Sequence, residues 1–281
     1  MRLRFTKMHG IGNDYVYVNA FETTVADPAQ VARLVSPRRT AIGSDGLILI
    51  APSQVADVRM EMYNADGSRG EMCGNGIRCV GKFAFEHGIA RKRELRVETD
   101  SGIKTLRLEG GGDRIERVTV DMGRPALDPA DVPTTARERM VDAPLNVEGH
   151  TYRVTCVSMG NPHCVLFVAS TEAAPVTTLG PKIERHALFP RRVNVEFVEP
   201  VGGPRSRALR MRVWERGSGE TAACGTGACA AAVAAVLTGR GERRVDVELL
   251  GGTLGIEWSE ADDHVYMTGS ATEVFSGEIE V

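Results

Sequence analysis

This chain contains one pattern twice, a cysteine followed by Gly-x-Gly, in Glu71-Met-Cys-Gly-Asn-Gly-Ile-Arg-Cys79 and in Ala222-Ala-Cys-Gly-Thr-Gly-Ala-Cys229. Four pairs of similar segments occur in the same order along the two halves of the chain. They are Met8–Asn13 with Met159–Asn161, Gly46–Pro52 with Asn194–Pro200, Arg59–Asn64 with Arg210–Glu215, and Cys73–Gly76 with Cys224–Gly227. The sequence offset is 148 residues in the first two pairs and 151 in the last two. Chance similarity between strand patterns is the alternative, but a constant order at a nearly constant offset predicts two copies of one fold.

Each repeated cysteine is followed by a predicted helix. The first helix runs from about 75 to 87 and ends at Gly88, and the second ends at Gly239, because glycine is typical just past a helix end. The second helix, through Ala228–Leu237, is apolar nearly all round, which indicates a helix buried on all sides. A third helix is predicted over 29–35. Short strands are predicted over 2–5, 15–19, 46–50, 58–63, 94–99, 103–108, 116–121, 151–157, 164–168, 193–198, 208–214, 244–249, 253–258 and 264–268.

These elements predict an α+β (mixed α/β) fold of two similar domains, related by a pseudo-twofold axis, each with a β-barrel-like sheet around a central helix. The first domain is expected over residues 1–118, with the C-terminal segment 270–281 returning to it. The second domain is expected over 119–269, after the glycine-rich loop that begins at Gly110.

Composition excludes several classes of protein. Among 281 residues, 42% are hydrophobic and 25% are charged, so a wholly disordered chain, a collagen-like chain and a coiled coil are excluded. The net charge of −3 argues against a nucleic-acid partner. No apolar run is long enough for a membrane span and the start resembles no signal peptide, so no membrane association and a cytoplasmic location are expected. In a cytoplasmic chain the six cysteines are expected to be reduced, and the absence of a CxxC pair or of zinc-finger spacing predicts no metal site.

A cysteine at a helix N-terminus has a specific chemistry. The partial positive charge and unpaired N–H groups there favour a thiolate, and the same N–H groups bind a carboxylate. Glycines at 74, 76, 225 and 227 would let a substrate approach the backbone. If the two copies face each other, one thiolate can remove the α-proton of an amino acid while the opposing thiol returns a proton to the other face. Helix N-termini aimed at the carboxylate would stabilise the carbanion as an enediolate.

The motifs resemble those of the diaminopimelate epimerase family over essentially the whole chain. The motifs that carry the resemblance are His9-Gly-Ile-Gly-Asn-Asp-Tyr15, Asn64-Ala-Asp-Gly-Ser68, Glu71 to Cys79, Met159-Gly-Asn-Pro-His-Cys164 and Trp214-Glu-Arg-Gly-Ser-Gly-Glu-Thr-Ala-Ala-Cys-Gly-Thr-Gly-Ala-Cys229. The resemblance implies an enzyme without pyridoxal phosphate, metal or other cofactor. It would interconvert LL- and meso-diaminopimelate, in lysine and peptidoglycan precursor biosynthesis, as a homodimer with its active site in the cleft between the two domains.

The resemblance also implies roles for individual residues. Cys73 and Cys224 would be the acid–base groups, with His163 and Glu215 in support. The positions that resemble substrate-binding residues are Asn13, Asn64, Gly74, Asn75, Asn161, Asn194, Glu215, Arg216, Gly225 and Thr226, the two glycine-containing pairs through their backbone. Gly46 departs from family members that have Gln there, which implies one substrate hydrogen bond fewer or a contact through the backbone.

Each of these residues also has a plainer interpretation. A free cysteine is usually a buried packing residue, the interpretation favoured here for Cys79, Cys156, Cys164 and Cys229. A lone histidine such as His163 is usually structural or exposed, and asparagine in a turn often serves only the backbone. Glu215-Arg216 could be a solvated surface pair, although ammonium and carboxylate recognition suits these two side chains.

Four other functions are open. The chain could be a racemase or epimerase of the same two-cysteine kind that acts on proline, hydroxyproline or glutamate. It could be an isomerase of the same fold without a cysteine pair, as in phenazine biosynthesis, but both cysteines are present. It could be a redox-switched binding protein in which Cys73 and Cys224 form a disulfide. A pyridoxal phosphate enzyme would need a Schiff-base lysine, and none of the five lysines lies in such a motif.

Overall fold

The computed structural model describes residues 2–203 and 205–281. The strands are β1 Arg2–Gly10, β2 Asn13–Asn19, β3 Gly46–Ala51, β4 Val58–Asn64, β5 Arg69–Gly70, β6 Glu94–Thr99, β7 Gly102–Glu109, β8 Arg117–Asp121, β9 Ala143–Val147, β10 His150–Ser158, β11 Pro162–Phe167, β12 Asn194–Val201, β13 Ser206–Glu215, β14 Gly219–Thr221, β15 Gly241–Leu249, β16 Gly252–Trp258, β17 Val265–Ser270 and β18 Thr272–Glu280. The helices are α1 Pro28–Val35, α2 Gly74–Glu86, α3 Val176–Glu184 and α4 Gly225–Leu237.

The chain divides into two compact units. Unit 1 comprises the residues up to Asp121 together with Thr268–Val281, and unit 2 comprises Met122–Met267. The sequence pattern had suggested divisions after residues 118 and 269. Each strand and each of the three helices predicted from the sequence has a counterpart in the structure, which confirms a mixed α+β fold.

Unit 1 is a curved sheet around α2. Neighbouring strands follow the order β18, β1, β2, β3, β4, β6, β7 and β8, with β5 added to β4. The β2–β3 and β4–β6 pairs are parallel and the others are antiparallel. Helix α2 contacts β1 to β4 and β6 to β8, and twelve of its residues, Gly74 to Phe85, are buried. The C-terminal strand β18 lies antiparallel to β1, with Glu280 opposite Arg2.

Unit 2 repeats this arrangement around α4. Its strands follow the order β9, β10, β11, β12, β13, β15 and β16, with β14 added to β13. The parallel pairs are β11–β12 and β13–β15, the counterparts of the two parallel pairs in unit 1. Helix α4 contacts β10 to β13, β15 and β16. Its six alanines and Val233 lie in the interior, which explains why its sequence has no polar face.

The strand registers align the two units residue by residue. Between the parallel strands, Tyr17 lies opposite Ile48 in unit 1, and Val165 lies opposite Glu196 in unit 2. Between the antiparallel strands, Met62 lies opposite Gly70 in unit 1, and Val213 lies opposite Thr221 in unit 2. The first set keeps the offset of 148 residues and the second keeps 151, the values found in the sequence. The internal repeat is therefore a repeat of hydrogen-bond register, which chance similarity between strand patterns would not produce.

A second helix in each unit packs on the outer side of the sheet. In unit 1 this is α1, whose Val31 and Val35 contact a core cluster with Leu47. In unit 2 it is α3, which the sequence pattern does not predict, because Pro181 lies inside it and proline disfavours a helix interior. Strands β5, β9, β14 and β18 are also additional to the sequence prediction.

Among the described residues, no helix combines the length and the apolar character that crossing a membrane requires.

The close packing of α4 predicts a large stability difference between two alanine sites in unit 2. Ala231 is fully buried, and Ala261 is exposed. Replacing Ala231 by Leu overpacks the interior, so we expect Ala231→Leu to lower the free energy of unfolding by about 1–3 kcal/mol. Chemical denaturation measures this value. The matched control, Ala261→Leu, should change it by less than about 0.5 kcal/mol, and equal effects of the two variants would contradict the burial of α4.

Candidate active site

Cys73 is the N-terminal capping residue of α2. Its backbone is extended, with φ −130° and ψ 118°, and its Sγ accepts a hydrogen bond from the N–H of Gly76 at 3.3 Å. The thiol donates to Oδ1 of Asn13 at 3.1 Å, so the thiol and the predicted substrate-binding asparagine are in contact. The side chain is partly exposed. A thiol held by a backbone N–H at a helix start has the surroundings that suit acid–base chemistry.

A charged network orients Asn13. Its Nδ2 donates to Oδ2 of Asp45 at 2.7 Å, which leaves Oδ1 facing Cys73. Arg38 bridges Asp45 and Asp14, with N–O distances of 2.7 Å to each, and Lys7 pairs with Asp14 at 2.5 Å. Burial opposes ionisation of Asp14, but the hydrogen bonds and charges of Arg38 and Lys7 outweigh it and lower the pKa of that carboxyl. The amide of Asn13 is therefore held in one orientation.

Cys224 is the N-terminal capping residue of α4, in the position that Cys73 has in unit 1. Its φ of −126° and ψ of 107° are close to those of Cys73. Unlike Cys73 it is buried, only 5% exposed, and its Sγ lies 3.6 Å from Oγ1 of Thr226. Burial raises the pKa of the Cys224 thiol well above its usual range, and the charges of Glu215 and Glu196 raise it further. Cys224 therefore holds a proton in this state.

Three further predicted residues surround the turn after β13. Glu215 accepts a hydrogen bond from the hydroxyl of Thr221. Asn194 is buried and joins two segments, because its Nδ2 donates to the carbonyl of Pro162 at 3.2 Å and its Oδ1 accepts from the N–H of Arg216 at 2.8 Å. The Arg216 side chain is exposed. Asn194 thus fixes the backbone from which Arg216 extends.

His163 is completely buried and lies in a chain of side-chain contacts that ends at Cys224. Its Nε2 is 3.0 Å from Oδ1 of Asn161, and Nδ2 of Asn161 donates to Oγ1 of Thr226 at 3.2 Å. On its other side, Nδ1 of His163 is 2.6 Å from Oε1 of Glu196. The structure therefore brings the predicted residues Asn161, His163, Thr226 and Cys224 together in unit 2.

Asn64 forms its side-chain and backbone hydrogen bonds within the turn that follows β4 in unit 1. Its Nδ2 donates to Oγ of Ser68 at 2.9 Å, and its backbone N–H donates to the carbonyl of Ser68 at 2.8 Å. The plainer interpretation of a turn asparagine thus describes the contacts of this residue.

The helix starts contain the predicted backbone groups of Gly74, Asn75, Gly225 and Thr226. The first N–H groups of a helix have no partner within it and can bind an anion. Gly76 and Gly227 have a packing role that the sequence does not indicate, because a Cβ there would lie 2.8 Å from Cδ1 of Ile48 and 2.9 Å from Oε1 of Glu196. These two glycines let the helix pack against a strand.

Gly46 is required by strand packing. A Cβ at this position would lie 2.1 Å from the carbonyl oxygen of Tyr63, which is backbone of the neighbouring strand β4. A side chain at residue 46 therefore requires the β4 backbone to shift, so the glycine is an adaptation of this chain's β3–β4 pair.

The four other cysteines are buried, as the sequence pattern favours. Burial raises the pKa of Cys79 to about 11 and that of Cys164 well above its usual range, so these two are unreactive thiols. Among the described residues, no group of three or more His, Cys, Asp or Glu side chains is placed to hold a metal ion.

Asp45, Glu196 and Thr221 contact predicted site residues but are missing from the sequence-based set. A usable signal exists for Glu196, a carboxyl between the apolar residues Val195 and Phe197 of β12, and none stands out for the other two.

Comparison with known proteins identifies the family. The diaminopimelate epimerase family model matches residues 5–127 and 155–274. The chain belongs to the diaminopimelate epimerase family. It is 54% identical over 280 residues to the diaminopimelate epimerase of Acetivibrio thermocellus, covering 99% of each chain. It is 55% identical over 278 residues to that of Moorella thermoacetica, covering 98% of this chain and 99% of the relative. The resemblance of the motifs and the prediction of an epimerase-type enzyme are therefore confirmed.

The fold extends beyond this family. A phenazine biosynthesis protein from Bacillus anthracis superposes with a TM-score of 0.70 at 14% identity, over 100% of both chains. A likeness at this identity concerns the fold alone.

The charge at Glu215 predicts a change in thiol reactivity. Because its carboxylate helps to raise the pKa of Cys224, we expect Glu215→Gln to move the pH midpoint of Cys224 alkylation down by about one unit. Alkylation by iodoacetamide across a pH series, quantified for the Cys224 peptide by mass spectrometry, measures the midpoint.

Glu220→Gln is the matched control, since Glu220 lies in the adjacent strand and pairs with Arg212 at 2.7 Å. An unchanged midpoint in Glu215→Gln, or an equal shift in the control, would show that Glu215 does not act on the thiol.

Proposed function

We propose that this protein interconverts LL- and meso-diaminopimelate without a cofactor, with Cys73 and Cys224 as the two acid–base groups. The proposal is supported by family membership, and above all by the presence of a capping cysteine at the same place in both copies of the fold. An inversion needs one base and one acid on opposite faces of a carbon. A duplicated unit supplies two equivalent groups if the units face each other across the substrate.

The proposed reaction balances in protons and electrons. One cysteine thiolate accepts the α-proton and becomes a thiol, and the electron pair of the C–H bond moves onto the carboxylate as an enediolate. The opposing thiol then gives its proton to the other face of the carbon and becomes a thiolate. After one turnover the two sulfurs have exchanged protonation states, so the form that releases product is the form that binds the opposite stereoisomer. Cys224, with its raised pKa, is suited to the role of proton donor, and Cys73 must lose its thiol hydrogen before it acts as the base.

The α-proton of an amino acid is weakly acidic, so the enediolate charge needs strong stabilisation. We propose that the N–H groups at the starts of α2 and α4, at Gly74-Asn75 and Gly225-Thr226, bind carboxylate oxygens. Preorganised donors of this kind typically contribute about 10²- to 10³-fold in rate each, and they need no reorganisation during the reaction.

The second amino-acid end of diaminopimelate requires further polar groups. We propose that Arg216 binds its carboxylate and that Glu215 binds an ammonium, while Asn13, Asn64, Asn161 and Asn194 bind or position the substrate. Proline and hydroxyproline lack a second amino-acid end, so this set of residues favours diaminopimelate over them.

We further propose that the enzyme acts as a cytoplasmic homodimer in the supply of lysine and peptidoglycan precursors. This proposal rests on the resemblance to the family, and size-exclusion chromatography with light scattering measures the oligomeric state.

Proton exchange tests the proposed reaction. We expect reduced protein, free of pyridoxal phosphate, to convert LL-diaminopimelate in heavy water with loss of the α-proton signal by NMR. Cys73→Ser and Cys224→Ser should each lower the rate by at least about 10²-fold, because general acid–base groups contribute on that scale. Cys156→Ser, at a buried cysteine outside the proposed mechanism, is the control.

Proline, hydroxyproline and glutamate complete the substrate panel. Absence of exchange in folded, reduced protein would contradict the proposed function, and full activity of either cysteine variant would remove that cysteine from the mechanism. Exchange of proline in place of diaminopimelate would transfer the proposal to a different substrate.

A further inference from the structure

The carboxyl of Glu196 is buried beside the site and has no part in the mechanism proposed above. Its side chain is 0% exposed, Oε1 lies 2.6 Å from Nδ1 of His163, and Oε2 has no hydrogen-bond partner among the described residues. Taking a carboxyl out of water costs several kcal/mol unless it is paired, and a half-satisfied buried pair adds little net stability. The stability of the fold therefore gives no reason for a carboxyl at this position.

Unit 1 shows that the same architecture forms without this pair. At the offset of 148 residues, Glu196 corresponds to Ile48 and His163 corresponds to Tyr15. Both residue-196 and residue-48 side chains pack against a glycine in the first turn of the central helix. An apolar side chain thus fills the position in unit 1, so the carboxyl in unit 2 serves something particular to the Cys224 side.

Four contacts connect Glu196 to the Cys224 sulfur. They are Glu196 Oε1 to His163 Nδ1 at 2.6 Å, His163 Nε2 to Asn161 Oδ1 at 3.0 Å, Asn161 Nδ2 to Thr226 Oγ1 at 3.2 Å, and Thr226 Oγ1 to Cys224 Sγ at 3.6 Å. Each distance lies within hydrogen-bonding range for its atoms. Because Asn161 presents its oxygen to the ring, Nε2 of His163 must be the donor in this arrangement.

The direction of these side-chain hydrogen bonds decides whether the Cys224 sulfur has a hydrogen-bond donor. With hydrogen on Nε2, the ring donates to Asn161 and Asn161 donates to Thr226, which leaves the Thr226 hydroxyl hydrogen free for the sulfur. With Nε2 bare, the Asn161 amide turns over, and the Thr226 hydroxyl donates to the amide oxygen instead. Only the first direction supplies a donor to a negatively charged sulfur.

We propose that Glu196 is a positioning residue, which keeps hydrogen on Nε2 of His163 and so directs the Thr226 hydroxyl toward the Cys224 sulfur. When the pair holds a shared proton in addition to the ring hydrogen, the carboxylate accepts from a ring protonated at both nitrogens, or the carboxyl donates its own hydrogen to a bare Nδ1. In both arrangements Nε2 bears the other hydrogen. Through the Thr226 hydroxyl, Glu196 thereby gives the Cys224 thiolate that forms after proton donation a hydrogen-bond donor, which opposes the direct effect of the Glu196 charge, and only this last clause rests on the proposed function.

Burial supports this assignment. It raises the pKa of Glu196, against the opposing effect of His163, which favours a carboxyl that keeps or shares a hydrogen. The titratable groups that face Glu196 are His163 and Cys164 on β11, Glu215 on β13 and Cys224 at the start of α4.

The native protein provides the first test. Long-range proton–nitrogen NMR of protein labelled with ¹⁵N-histidine reports which ring nitrogen bears hydrogen, and His163→Asn assigns the signals. We expect Nε2 of His163 to bear hydrogen at neutral pH without substrate. A neutral ring with hydrogen on Nδ1 and a bare Nε2 would overturn the proposal, whether or not any variant folds.

Glu196→Gln is the second test, because it keeps the size of the side chain but has no ionisable hydrogen. We expect part of the His163 population to move its hydrogen to Nδ1. If the proposed reaction is correct, kcat/KM should fall about tenfold in both directions, the effect of one lost hydrogen bond to a charged group. Equilibrium requires the two directions to fall together. KM should change by less than about twofold, since no substrate contact is removed.

A double-variant cycle separates positioning from a structural effect. Glu196→Gln and Thr226→Val interrupt the same chain, so the combined variant should lose no more than the larger single loss. Glu199→Gln, on the same strand but bound to Thr171 and Arg210, should leave the His163 spectrum and kcat/KM unchanged.

Additive losses, or an equal loss in Glu199→Gln, would contradict the positioning role. The NMR result needs no substrate. Absence of epimerisation together with the expected His163 spectrum would therefore refute the proposed function, but the direction of the hydrogen bonds between His163 and Cys224 would still be established.

Discussion

The structure depends on the burial of two whole helices, each inside its own sheet. A helix enclosed in this way still has N–H groups in its first turn without partners inside the helix, and these groups must be satisfied. In both units the chain places a cysteine at that end, with glycines that let the first turn pack closely on a strand. The constraint of the fold and the requirements of the proposed chemistry thus coincide at one position.

Duplication supplies the two equivalent positions, but the surroundings of the thiols differ. Cys73 is partly exposed and contacts an asparagine that a charged network holds. Cys224 is buried, and a histidine–carboxyl pair lies behind its asparagine. In each case an amide is oriented by groups further from the sulfur, although the residues that achieve this are unrelated. A reaction whose two acid–base groups exchange roles needs each of them to be stable in both protonation states, and different surroundings can meet that need.

Much of this could be predicted from the sequence because the repeat is strong. The order and offset of the similar segments predicted two copies of one fold, and the structure extends the similarity to strand register. Helix α3 lacks a helical pattern of its own because of Pro181, yet α1 begins at Pro28 and α3 begins 148 residues later at Val176, so the repeat itself could have predicted it.

The supporting residues were harder to predict. Asp45 and Thr221 act through side-chain contacts that follow only from folded geometry. The packing contacts of Gly76 and Gly227 were not predicted, since sequence shows that a position is small but not what it packs against. Glu196 could have been found as a charge within a buried strand whose counterpart in the other copy is apolar.

We propose that Cys73 and Cys224 act on opposite faces of one carbon, and cross-linking of the two thiols tests this proposal. Reduced protein would be treated with 1,3-dibromoacetone, which joins two thiols through three carbons, and digested for peptide mapping. We expect a product that links the Cys73 and Cys224 peptides within one chain, with its formation blocked by diaminopimelate. Alkylation of the two cysteines only as separate, unlinked sites would contradict it.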